Sequence, residues 1–290
     1  MSRLRLIRTI DVNSQRGSGR LRLPVPHGRC RCVRLILVIG ALAVASAASM
    51  SAAEDWVDQR PAGAFHCHAD FRLDPYQPLL DDLANLQTDL VHTLAIAPTH
   101  EPIELYLFAY QAAYTSYLGE RYPKVPYRRA LYIKDRGPGE MFAQIGPNFE
   151  IDLRHEATHA LLHGSLPSVP LWLDEGLAKY FEVPREHRID GNPYMSTVKE
   201  NIRLGQLPKL ATLEQKRDLR EMGVPEYRYS WAWVHFLING PPEAHDELIG
   251  YLRDIRDHNS PGRLSARIES RLPDPDAQIA RHFLEWKSDK

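Results

Sequence analysis

The sequence predicts an α+β fold, with a small mixed sheet and its helices in an N-terminal lobe and a mainly α-helical C-terminal lobe. Three observations predict it. Residues 65–71 alternate: Phe65, Cys67, Ala69 and Phe71 share one face and His66, His68 and Asp70 the other, the pattern of a half-buried strand. Leu79, Leu80, Leu83, Leu86, Leu90, Val91 and Leu94 then recur at helical spacing. After Pro170 alternation ceases and the apolar pattern is helical almost to the C-terminus.

The elements follow in order. His66 and His68 fit the wet face of the first strand better than an accessory metal site. Asp74-Pro75 offers an N-cap and a proline for the first helical position, opening a long helix that packs on that strand. Residues 103–108 read as a second strand and 110–118 as a short helix ended by Gly119 and Pro123. A third strand spans 130–133, and Gly137-Pro-Gly139 turns the chain into a fourth at 141–145. Gly146-Pro147 leads into a helix with Asn148 at its cap, Glu150 in its first turn and Gly164 as its stop. Leu153, Ala157, Ala160 and Leu161 make that helix read as amphipathic. Beyond Pro170, residues 171–182 are helical, 182–193 form a loop, and 195–204, 229–238, 243–255 and 274–286 are helices. The 229–238 helix, aromatic and apolar, should be buried.

Of 290 residues, 43% are hydrophobic and 25% charged, which suits one large globular domain or two small ones. The ends differ in character. Nine arginines and one acid, Asp11, precede residue 35, and residues 35–53 carry no charge. A basic flank, a short apolar run and Ala45-Ser-Ala47 make a secretory signal. The division expected is therefore 1–53, a basic segment with its signal peptide, and 54–290, with a sheet lobe at 54–164 and a helical lobe at 165–290. The destination is secreted or periplasmic; an uncleaved segment would instead anchor the chain in the membrane. Losing the nine arginines and Asp11 leaves 27 basic against 36 acidic residues, a balance near −9 that is a poor match for nucleic acid. After cleavage no stable membrane insertion is expected. Cys67 would be the one cysteine left, so no internal disulfide can form.

The chemistry is concentrated in His155-Glu-Ala-Thr-His159. A helix advances about 100° per residue, so two histidines four apart share a face and can take one metal ion. Glu156 projects beside the pair, where a carboxylate can act on water. A catalytic zinc takes three protein ligands. His163, Glu182 and Glu175 are the candidates for the third. His163 drifts about 80° from His155 after two turns. Leu162 and Ser165 stand where the longer metzincin motif needs Gly and His.

His155-Glu-Ala-Thr-His159 followed by Trp172-Leu-Asp-Glu175-Gly-Leu-Ala resembles the gluzincin metallopeptidases, among them thermolysin-like enzymes, aminopeptidases and the peptidase-MA-like domains of uncharacterised bacterial proteins. The likeness covers about residues 65–255, with fewer residues between the two motifs than in thermolysin. The resemblance implies a zincin-like fold, Zn²⁺ held by His155, His159 and Glu175, Glu156 as general base, and a peptide or protein substrate. It also implies that residues 141–145 are an edge strand along which a peptide lies. Gly139-Glu-Met141-Phe-Ala matches the aminopeptidase G-x-M-E-N segment only in part, so exopeptidase action is not implied. Tyr229, Tyr227 and His235 are candidate donors to the oxyanion. Tyr229 is the first choice and joins Glu156 in the expected catalytic set. Asp174 is a candidate to orient a ligand histidine. The reading is a zinc metallopeptidase; its rivals are an inactive zinc-site binding module and a zinc hydrolase of a non-peptide substrate.

Overall fold

The computed structural model describes residues 5–7, 56–135, 137–207 and 209–286. Strands β1 (Arg5–Ile7), β2 (Asp58–Ala62), β3 (Phe65–Ala69), β4 (Ile103–Phe108), β5 (Ala130–Lys134) and β6 (Glu140–Gln144) make one mixed sheet in the order β1-β5-β6-β4-β3-β2. β4 pairs parallel with β3 and with β6, and the remaining pairs are antiparallel. β2 escapes the sequence pattern because it does not alternate apolar and polar residues; Pro61 is tolerated there because the strand lies at the sheet's edge.

Residues 141–145 are not the free edge that the resemblance implies. β6 is an interior strand, bonded to β4 on one side and to β5 on the other. β6 folds back antiparallel onto β5, while Leu105 and Met141 come into register across the parallel pair. The strand next to the sheet's margin is β5.

Helix α1 (Gln77–Leu94) makes the crossover from β3 to β4 and buries Leu79, Leu80, Leu83, Leu86, Leu90 and Leu94. Burial of each leucine contributes roughly 1.5–3 kcal/mol, so the helix does not depend on its cap. Asp74 in fact does not cap it. A 3₁₀ turn at Asp74–Tyr76 comes first, and the Asp74 carboxylate takes hydrogen bonds from Arg60 and Arg72. Helix α2 (Gln111–Arg121) runs past Gly119, the stop expected from the sequence. Its Tyr114 and Leu118 cover Tyr106, Phe108, Leu131, Ile133 and Phe142 on one sheet face. The other face packs under α1 and helix α3 (Phe149–Ser165), where Leu105, Leu107, Met141 and Ala143 join the main core. His68 lies on the α2 side of the sheet, hydrogen-bonded to Glu104 at 2.7 Å and to Gln59 at 3.1 Å.

Everything described after α3 is helical: α4 (Leu171–Phe181), α5 (Tyr194–Arg203), α6 (Leu210–Leu213), α7 (Val224–Asn239), α8 (Pro242–Arg256), α9 (Leu264–Arg271) and α10 (Pro275–Glu285). α4 and α7 touch at Gly176, where a Cβ would stand 2.6 Å from the Ser230 carbonyl oxygen, so the close approach needs glycine. The loop after α4 is tied down by Arg188, which pairs with Asp89 on α1 in a buried contact and lies 5.0 Å from the centre of the Phe181 ring. Residues 56–286 belong to one compact unit. The expected signal at 35–53 lies outside the described residues. No helix among the described residues is long and apolar enough to cross a membrane.

Candidate metal centre

Helix α3 is buried on nearly every side between Leu153 and Leu162, with the sheet beneath it and α4 against it. That differs from the amphipathic helix expected, and it puts His155, Glu156 and His159 at 0–1% exposure. Polar side chains this deep need partners. The neighbouring helix supplies them.

His155 Nδ1 stands 2.8 Å from Glu182 Oε2, and His159 Nδ1 stands 2.9 Å from Asp174 Oδ1. An ionised carboxylate can only accept, so each Nδ1 carries a proton and each ring, once neutral, presents a bare Nε2. Those two Nε2 atoms lie 3.2 Å apart, and Glu175 Oε2 lies 3.5 Å from the first and 3.8 Å from the second. Two lone pairs and a carboxylate oxygen aimed at one another repel unless a proton or a metal cation stands between them. Ligands of a tetrahedral ion with bonds of 2.0–2.1 Å are about 3.3 Å apart, so the triangle has the dimensions of one face of such a site. His155, His159 and Glu175 are thus a buried group that can hold a metal ion.

Both oxygens of Glu175 and both of Glu156 are buried without a well-formed hydrogen bond, although the Tyr132 backbone N–H helps to hold Glu156 ionised. Two orphaned carboxylates in one place are expensive. A cation answers the first, and water or substrate the second. Burial pushes the Glu156 carboxyl up to about 7, against the pull of the His159 and His155 charges. Burial opposes charge on His159, but Asp174 and Glu175 outweigh it and push the ring up to about 10, so without an ion Nε2 carries a second proton that a metal must displace. Burial opposes ionisation of Asp174 as well, yet the charges of His159 and His163 hold it well below the usual carboxylate range. The site is built to attract positive charge.

The second set of partners was only half visible in the sequence. Asp174 also reaches His163, whose Nε2 lies 3.0 Å from Oδ2. His163 and Glu182 lie outside that group: Glu182 holds His155, and His163 joins His159 and Asp174 in a second, partly exposed group that could also hold an ion. Glu182 follows Glu175 by seven residues, two turns on, and so returns to the same side of the chain as it leaves α4. Lys179 holds its carboxylate at 2.9 Å and 3.2 Å.

The tyrosines differ from expectation. Tyr229 is directed elsewhere, its hydroxyl accepting from Asn201 Nδ2 at 2.7 Å. His235 is occupied by the Ile189 carbonyl and by His282. Of the three candidates, Tyr227 is the one on the face of α7 that packs on α4. Its hydroxyl is buried without a partner, and burial, then the Glu175 charge, with Glu156 adding to it, holds it strongly protonated. Tyr227 and Tyr229 are about 200° apart around α7, so only one can face α4. The packing of Ser230 on Gly176, one turn from Tyr227, is the signal that could have chosen between them.

Comparison with models of known protein families found no match to this sequence, and comparison with curated proteins found none either.

Proposed function

We propose that this protein is an exported zinc-dependent metallopeptidase of the gluzincin type, with His155, His159 and Glu175 as metal ligands and Glu156 as general base. The observation that carries the reading is the convergence of two bare imidazole nitrogens and one carboxylate oxygen beside a second, unpartnered carboxylate. Two nitrogens and one oxygen suit zinc. When bound, zinc supplies Lewis acidity towards water and a carbonyl oxygen.

The chain's own residues do the rest. Asp174 and Glu182 fix the two rings in the tautomer that leaves Nε2 free. Glu156, buried beside the three ligands with its carboxylate free, can take a proton from water and pass it to a leaving amine. Tyr227, in place of Tyr229, is the donor available to a developing oxyanion. A purely structural metal site has no use for a buried, unpartnered base. The basic flank and apolar run before residue 54 support export.

The test is a pair of variants. Glu156→Gln should bind about one zinc per chain, as the wild type does, and lose at least about 10²-fold in peptide hydrolysis. His159→Ala should lose the zinc. Metal analysis and a peptide-library cleavage assay read both; unchanged activity in the first or retained zinc in the second overturns the mechanism.

A further inference from the structure

Arg128 and Arg228 are the two half-buried arginines among the described residues with no carboxylate within ion-pair distance. The Nε of each is fully covered and has no hydrogen-bond partner. This is unusual in a chain whose acids outnumber its bases after residue 53. A guanidinium offers five donors in a fixed fork, and a covered Nε–H left without an acceptor is unfavourable. The neighbouring Arg129 shows the ordinary outcome, with Asp152 taking its Nε at 2.9 Å.

Both arginines adjoin residues that pack on the two helices of the candidate metal centre: Arg228 lies between Tyr227 and the Ser230 that meets Gly176 on α4, and Arg128 precedes Arg129, which pairs with Asp152 one turn before Glu156 on α3. Arg228 follows Tyr227 directly on α7, and its guanidinium lies 5.8 Å from the centre of the Tyr194 ring. Tyr194 is held protonated by burial, and the charges of Lys179, Glu182, Arg228 and Glu175 all act on it. Arg128 precedes β5 by two residues, and β5 packs against the helix that carries Glu156. The Tyr227 hydroxyl is held protonated first by burial and then by Glu175, and Arg128 acts on it in the opposite sense. Two cations without anions thus flank α3 and α4, the helices that carry the candidate centre.

We propose that Arg128 and Arg228 are specificity-determining residues that receive a carboxylate of the substrate close to the scissile bond. This rests on the reading of the site as a peptidase centre. Planar, two-pronged recognition of a carboxylate is what a guanidinium does better than any other side chain. The carboxylate has two sources, an acidic side chain or the free C-terminus of a peptide.

The experiment uses the zinc-loaded mature protein and matched fluorogenic peptides. One series carries Glu or Gln at each of three positions on either side of the scissile bond, all with amidated ends. A second series is neutral, with a free or amidated C-terminus. The carboxylate-bearing member should be cleaved with kcat/KM roughly ten-fold or more above its amide partner, the worth of a hydrogen bond to a charged group. A preference within the first series identifies a side chain, and one within the second the terminus. The ratio should fall to about one in Arg128→Gln, Arg228→Gln or their double variant, and a ratio is insensitive to the fraction of protein that is folded. A ratio of one in the wild type, or an unchanged ratio in the double variant, overturns the proposal. Binding of the same peptides to Glu156→Gln is measured by calorimetry in parallel. If no peptide is cleaved but Glu156→Gln binds the acidic peptide and loses it with the arginines, the peptidase reading fails and the carboxylate site stands. If neutral and acidic peptides are cleaved alike, the peptidase reading stands and the carboxylate site fails.

Discussion

Asp174 Oδ1 accepts a hydrogen bond from Nδ1 of His159 at 2.9 Å, with both groups buried. The residue that orients one proposed ligand is therefore the immediate neighbour of another, Glu175. A single turn of α4 delivers both. Asp174→Asn keeps the shape and an acceptor but removes the charge, and its amide can turn a donor towards the ring. Zinc affinity is expected to fall about 10–100-fold, the usual effect of losing such a partner. Glu182→Gln should act alike through His155. Competition against a chelator of known affinity checks both; wild-type affinity in both variants would remove these carboxylates from the design.

The two tyrosines of α7 are separated by a similar substitution. Tyr227→Phe removes a hydroxyl with no protein partner, while Tyr229→Phe removes one bonded to Asn201. If Tyr227 serves the oxyanion, its loss lowers kcat about 10²–10³-fold with KM little altered. Tyr229→Phe should instead appear as a loss of stability of about 1 kcal/mol, the net worth of one hydrogen bond. Steady-state kinetics and urea unfolding are the measurements, and the reverse pattern would restore Tyr229.

The ligand face could be read from sequence because the helical repeat alone places His155 beside His159. The strands at 103–108 and 130–133 were legible for a similar reason, their apolar runs lying between turn signals. What could not be read depended on tertiary contact. Pairing of β6 on both sides is set by which strand the crossover meets, and no local pattern encodes it. α2 continues through Gly119 because glycine merely weakens a helix, while Tyr114 and Leu118 anchor it. α3 departs from its amphipathic reading because the small residues Ala157 and Ala160 let neighbours close in on it. Tyr229 was favoured over Tyr227 because sequence alone did not say which face of α7 meets α4.

Gly176 tests that packing. A methyl group there meets the Ser230 carbonyl oxygen at 2.6 Å and Val234 Cγ2 at 2.8 Å. Backbone cannot yield as a flexible side chain can. Gly176→Ala should destabilise by about 1–3 kcal/mol, typical of overpacking. Because Glu175 is the adjacent residue, zinc affinity should fall with it. Thermal unfolding and chelator competition measure the two effects, and an alanine variant matching the wild type in both would show that α4 and α7 are further apart.

The last prediction concerns acid. His235 on α7 and His282 on α10 face each other at 2.9 Å, Nδ1 to Nε2. His235 Nε2 donates to the Ile189 carbonyl at 2.7 Å, so in the neutral ring Nδ1 must accept and His282 Nε2–H must donate. One proton fits between the rings. Burial drives His235 down to about 4, with the Ile189 bond resisting, and burial followed by the His235 charge drives His282 down to about 3. Both folded values lie below the ordinary 6.5, so the unfolded chain binds more protons as pH falls beneath 6.5. Stability from this pair is complete above that pH and drains away down to about pH 3–4. For His235 alone the full shift corresponds to roughly 3 kcal/mol. Other groups titrate in the same window, and His159 acts with the opposite sign. The comparison is therefore between wild type and His282→Gln, whose amide can still donate to His235 while carrying no titrating ring. Urea unfolding at intervals from pH 7.5 to 4.5 should show the wild type losing stability faster than the variant as acid is added. A difference between the two proteins that stays constant across that range would exclude this histidine pair as a source of acid sensitivity.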